Sequence, residues 1–218
     1  MKQVILASNS PRRKELLSLF GLPFEIHPAD IIEDRKPGEP PADYVQRLAC
    51  QKAAAVAAQH PGLVIAADTI VVNADELLGK PEDEEDARQM LLQLRGHTHQ
   101  VYTGLALLDT ESGQTFEDVT RTDVVMRHYS DAEIDAYIET GDPLDKAGAY
   151  AIQHAGFHPV DSLVGCYASV MGLPLCRLAV GLQEFGVAIP DDLAERGESL
   201  LNYACPILRE IQATSENR

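Results

Sequence analysis

Apolar positions along the chain come in two rhythms that take turns: short unbroken runs, and stripes at helical spacing. Val4 to Ala7 is a run that reads as a buried strand within Gln3 to Ser8, and it leads directly into a helix start. Ser10 is a good N-cap there, Pro11 stands where a first helical residue tolerates a missing N–H, and Leu16, Leu17 and Phe20 form a stripe that Gly21 ends. Phe24 to His27 reads as a second strand. The polar loop Glu33 to Pro41 separates it from a long helix over Ala42 to Gln59, with Tyr44, Val45, Leu48, Ala49 and Val56 facing inward. Leu63 to Ala67 and Ile70 to Val72 are apolar runs interrupted by Asp68 and Thr69. After a turn at Asn73 to Glu76 comes LLGKP, then an amphipathic helix over Asp83 to Leu94. Val101 to Leu108 and Thr115 to His128 alternate as a hairpin around Glu111 to Gln114. Ser130 and Glu133 form a capping box for a helix over 131–139, closed by Gly141 and Pro143, and Leu173 to Phe185 is a further helix. Mixed strands and helices predict an α/β fold.

Beyond Phe185 the pattern changes. A single amphipathic helix from Leu193 to Ile211 and a frayed tail are expected there, which divides the chain into a domain at 1–185 and a helical extension at 186–218. The chain is 218 residues long, of ordinary globular composition, and has 34 acidic against 18 basic side chains, a net charge of −16. That balance argues against polymeric nucleic acid as a partner, because it repels a phosphate backbone. No apolar stretch reaches the roughly 18 residues that a membrane-spanning helix needs, and the opening run is too short for a signal-peptide core, so a cytoplasmic protein is expected. Cys50, Cys166, Cys176 and Cys205 show neither a CxxC pair nor zinc-ligand spacing and read as reduced, partly buried side chains.

The charge is uneven. The first 14 residues carry Lys2, Arg12, Arg13 and Lys14 and no acid. Two arginines in the first turn of a helix oppose its macrodipole, a conflict that a bound anion held by Ser8, Ser10 and the guanidinium forks would resolve. A solvated arginine pair is the plainer reading. Lys52 falls on an inward helical face, a costly place for an amine without a partner, and Lys80 and Lys146 also lie in constrained surroundings. Facing these cations, Glu33 and Asp68 are carboxylates suited to a base or to a divalent ion, which phosphate oxygens and water would complete. Phosphate loops of the GxxxxGK[ST] and GxGxxG kinds, GxSxG and HExxH are absent. His97 and His99 would share a face if they lay on a strand; hydrogen-bonded structure is the more ordinary role for such a pair than metal binding.

Five segments, LASNSPRRKELL, AADTIVV, LGKP, GHTHQVYTG and DKAGAYAIQ, resemble the Maf family, in order and over roughly Gln3 to Phe185. The resemblance implies an elongated mixed sheet with flanking helices and a cleft between two lobes, like the inosine-triphosphate pyrophosphatases. It implies a hydrolase that converts a nucleoside triphosphate and water to the monophosphate and pyrophosphate, with Mg²⁺ or Mn²⁺, and a homodimer. By matching position, Asp68 would be the proton acceptor and Glu33 a further catalytic carboxylate. Ser8, Arg13, Lys52 and Lys80 would line the phosphate cleft. Arg12, Thr69 and Gln153 match the dTTP/UTP branch, whereas the 7-methyl-GTP branch has an aromatic residue in place of Arg12. Departures lie downstream: Ala151 and His154 replace glycines around Gln153, and Ser169 replaces an asparagine. The alternatives are a modified-purine preference and a non-catalytic nucleotide-binding regulator of division.

Overall fold

A computed structural model of the chain describes residues 2–215. The end of the expected frayed tail, 216–218, lies outside them. Seven strands form one mixed sheet in the order β2-β1-β3-β5-β6-β7, with β4 paired to β3 off that path. The strands are β1 (Val4–Leu6), β2 (Phe24–Ile26), β3 (Leu63–Asn73), β4 (Glu76–Leu78), β5 (Thr98–Asp109), β6 (Thr115–Met126) and β7 (Val160–Val164). β1 runs parallel to both neighbours, and every other pairing is antiparallel. Around the sheet lie α1 (Pro11–Ser18), α2 (Pro41–Ala57), α3 (Glu84–Leu94), α4 (Asp131–Ile138), α5 (Tyr167–Val170), α6 (Leu175–Glu184), α7 (Leu193–Leu201) and α8 (Pro206–Ser215). None of these helices is long and apolar enough to cross a membrane.

The period of two in β1 and β3 sorts their side chains onto two faces. Ile5, Ala7, Val64 and Ala66 pack with Ala49, Ala53 and Val56 of α2, and Ile70 and Val72 pack with Val45 further along the same helix. Val4, Leu6, Ile65, Ala67 and Val71 face the larger core, which α1, α3, α4 and α6 cover and to which α7 and α8 add Leu193, Leu201 and Leu208. Gly104 pairs with Asp68 across β5 and β3, and a Cβ on it would lie 2.3 Å from the carbonyl oxygen of Val45. Only glycine permits that approach, so α2 rests directly on the sheet at this point.

Two expectations change, and three short elements are new. Asp68 does not interrupt a strand: β3 runs unbroken through it, paired with β5 from Leu63 to Val72. The expected helix over Leu193 to Ile211 is two helices, because Asn202 adopts a left-handed φ of 48° and Pro206 begins a new helix. β4, β7 and α5 were not marked by any alternation long enough to read, being three to five residues each.

Candidate functional site

On the edge of β3 opposite β5, β1 pairs only as far as Ile65 and β4 pairs only from Val71. Ala66 to Ile70 therefore form a gap in that edge. The chain leaves β1 at the gap, turns through Ser8 and Ser10, and enters α1, so helix N-terminal amides, a strand edge and the start of α2's inner face converge. A cleft of about 760 Å³ opens there. All nine residues that the resemblance assigns to the site, Ser8, Arg12, Arg13, Glu33, Lys52, Asp68, Thr69, Lys80 and Gln153, line it. Five cations and three carboxylates line the cleft, Lys146 and Asp145 completing those sets, so its charge is the reverse of the whole chain's.

Successive residues of β3 project to opposite faces. Asp68 points toward α2, where the Lys52 ammonium lies 2.5 Å from its Oδ1 and 2.8 Å from Glu33 Oε1. The partner that an inward-facing lysine demands is thus Asp68, itself only 6% exposed. Burial raises the Asp68 pKa above the ordinary carboxylate value, against the opposing pull of Lys52 and Arg13. Glu33 stands at the exposed mouth, on a loop fastened to α2: Tyr44 donates to the Glu33 carbonyl at 2.6 Å, and Arg47 holds both carboxylate oxygens of Glu39 and the carbonyl of Asp34.

Thr69 points the other way. Its hydroxyl accepts from Arg13 Nη2 at 3.3 Å and is bonded to Thr103 at 3.0 Å, and Thr103 donates to the carbonyl of Ser169. Arg13 also donates to Gly172 O at 2.9 Å and to Ser8 Oγ at 3.2 Å. Its three donors thus meet neutral acceptors, which fix the guanidinium without cancelling its charge. Burial lowers the Arg13 pKa, yet an arginine stays protonated. Ser10 caps α1 by accepting from the Arg13 amide. Arg12 lies 3.6 Å from Asp145. Lys80 is exposed and has no ion pair among the described residues, and Gln153 is exposed at the cleft rim.

Sequence reasoning missed Thr103, Gly172 and Arg47, which hold others in place across gaps of 34, 159 and eight residues that no local spacing marks. The replaced glycines carry no backbone strain, since neither Ala151 nor His154 adopts a positive φ. His154 Nδ1 accepts from the Phe157 amide, and Ser169 bonds Thr122 and the Cys166 carbonyl. His97 and His99 form no pair. His97 is exposed ahead of β5, whereas His99 is fully buried, bonded to Tyr150, and lowered by burial to about 4.

Glu33 and Asp68 suit a hard divalent cation. Each uses one oxygen on Lys52 and leaves Asp68 Oδ2 and Glu33 Oε2 without a hydrogen-bond partner among the described residues. Among those residues no three His, Cys, Asp or Glu side chains gather as a metal cage, so an ion here would depend on oxygens from a ligand.

The model of the Maf-like protein family matches residues 3–185. A dTTP/UTP pyrophosphatase of Desulforamulus reducens is 47% identical over 190 residues, covering 87% of this chain and all of that protein. A dTTP/UTP pyrophosphatase of Anaeromyxobacter dehalogenans is 49% identical over 191 residues, covering 86% of this chain and 96% of that one. Among solved structures, a HAM1 protein from Coxiella burnetii aligns over both whole chains with a TM-score of 0.46 at 13% identity. With one family spanning the whole cleft-bearing part of the sequence, and relatives of near-equal length identical at almost half of the aligned positions, the chain belongs to the Maf family.

Proposed function

We propose that the protein is a nucleoside triphosphate pyrophosphatase that hydrolyses dTTP and UTP to the monophosphate and pyrophosphate. The observation that carries the proposal is a buried carboxylate, Asp68, clasped by Lys52 inside a cation-lined cleft of an otherwise acidic protein. The names of the relatives support the substrate.

In this reading Asp68 takes a proton from the water that attacks the α-phosphorus, and its raised pKa brings it toward the working pH of a base. Arg13, held by neutral acceptors, keeps its charge for a phosphate oxygen; Lys52 neutralises the site of attack, and the unpaired Lys80 receives the departing pyrophosphate. Ser8 offers a hydroxyl beside Arg13. Arg12, Thr69 and Gln153 would select the base, a glutamine amide being able to pair with the oxygen and N–H edge of uracil or thymine. Glu33 and Asp68 would hold Mg²⁺ or Mn²⁺ through their uncommitted oxygens. Such an ion would supply neutralisation of the triphosphate. A homodimer and a cytoplasmic location belong to the proposal on the family likeness and the sequence.

Asp68→Asn keeps the shape of the side chain and removes the base. Pyrophosphate release from dTTP and UTP should fall by about 10²–10⁴ with the melting temperature preserved. Full turnover in this variant would sink the proposal. A panel of triphosphates that includes 7-methyl-GTP checks the base preference.

A further inference from the structure

Three of the four cysteines meet at the seam between the family domain and the helices that follow it. Cys176 lies in the first turn of α6, Cys205 immediately precedes α8, and their sulfurs are 3.3 Å apart. Cys166, just before α5, lines the same small cavity as both, a space of about 10 Å³ that is near the room one water needs. Cys50 stands apart on α2. From this juxtaposition we infer that Cys176 and Cys205 form a peroxide-oxidised disulfide site, which fastens α7 and α8 to α6.

The two sulfurs are unlike. Cys205 is half-buried, whereas Cys176 is 5% exposed. A hydrogen bond with Cys176, together with the amides of Leu208 and Ile207 at the start of α8, pulls the Cys205 thiol below its ordinary value. Hydrogen bonds with Cys166 and Cys205 push Cys176 up, keeping it protonated. Cys205 is thus the sulfur that reacts first and Cys176 the one that follows. The Cys205 thiolate attacks one oxygen of a peroxide; the O–O bond breaks, hydroxide leaves and takes up a proton as water, and Cys205 becomes a sulfenic acid. Cys176 then loses its proton and attacks that sulfur, the S–O bond breaks with loss of a second water, and the S–S bond forms. The sulfurs need to close from 3.3 Å to a bond length of about 2.0 Å, a shift within reach of side-chain rotation. The bridge closes a loop across 29 positions, tying a segment outside the family match to a helix within it.

The test treats the full chain with hydrogen peroxide, alkylates remaining thiols after denaturation, and maps the peptides. A Cys176–Cys205 disulfide with Cys50 and Cys166 alkylated is expected, a mass about 2 Da below the reduced chain, and a melting temperature higher by roughly 5 °C or more. Reductant should reverse all three. In Cys176→Ala the reaction should stop at the sulfenic acid of Cys205, which a cyclic 1,3-diketone traps. Cys205 carried to the sulfinic acid while Cys176 stays alkylatable, a disulfide that includes Cys166, or a bridge between two chains overturns the inference. The mapping uses the unaltered chain, so it decides even if the variant fails to fold.

Discussion

Lys52 and Lys146 both line the cleft and are both clasped by two carboxylates, yet the clasps are built from opposite materials. Lys146 takes Asp142 and Asp145, four residues and one residue away, plus the Asp142 carbonyl at 2.6 Å, and Tyr137 donates to Asp142 at 2.7 Å. Burial works to raise both of those carboxyl pKa values, but Lys146, and for Asp142 also Tyr137, outweighs it and leaves them below the ordinary value. Lys52 draws its partners from a different strand and a different loop, and there burial wins, leaving Asp68 raised. A cluster assembled within one turn can satisfy every charge. One assembled across the sheet holds a carboxylate that its surroundings do not fully satisfy, and unsatisfied ionisation is what proton transfer needs.

The largest test of that contrast is Lys52→Met. It removes the chief partner lowering the Asp68 pKa, so the acid limb of the kcat/KM profile should move to higher pH, with activity down by about 10²–10³. A limb that stays in place would break the comparison. The stability linkage has opposite signs at the two clusters. Asp68, raised in the folded state, withdraws stability as pH climbs from the ordinary carboxylate value through its raised one; Asp142 and Asp145, lowered, contribute stability above that value and lose it as pH falls through theirs.

Gly104→Ala should have the next largest effect. The added methyl meets backbone of α2, which cannot swing aside as a side chain would, so the helix carrying Lys52 must lift off the sheet. A loss of about 1–3 kcal/mol is expected in denaturant unfolding, together with lower kcat. Normal kcat in a destabilised protein would show that the Lys52 clasp tolerates the displacement. The smallest effect belongs to Lys146→Ala, whose carboxylate partners are partly exposed and can rehydrate. Unfolding near neutral pH should cost about 1 kcal/mol less, the difference from wild type should close as pH falls and Asp142 and Asp145 take up protons, and kcat should hold near wild type. A collapse of kcat would move Lys146 into the same class as Lys52.

Local patterns made the frame legible. The capping box at Ser130 and Glu133, the Ser10 cap and the inward stripe of α2 are governed by residues within a turn of each other, and they stand as the sequence implies. Lys52 betrayed itself by its position on an apolar face, and Asp68 by its place in an apolar run. What stayed hidden depends on distant partners: the continuity of β3 through Asp68 rests on β5 pairing, and the Thr103 and Gly172 contacts with Thr69 and Arg13 rest on topology. The division of the last helix was written in Pro206, but the amphipathic stripe on either side of it outweighed that sign.

The gap in the edge of β3 has a further consequence. A strand flanked on both edges hides its backbone, and its two faces never share a visitor; here five residues paired on the β5 edge alone leave both faces open to one ligand. Asp68 and Thr69 are neighbours in sequence but address that ligand from opposite sides, Asp68 supported by Lys52 and Thr69 by Thr103 and Arg13. Under the proposed function, Arg13 is the one residue joining the two sides, bonded to Thr69 and drawing on the charge of Asp68, so a lineage that retunes what it accepts at Thr69 must keep that guanidinium seated.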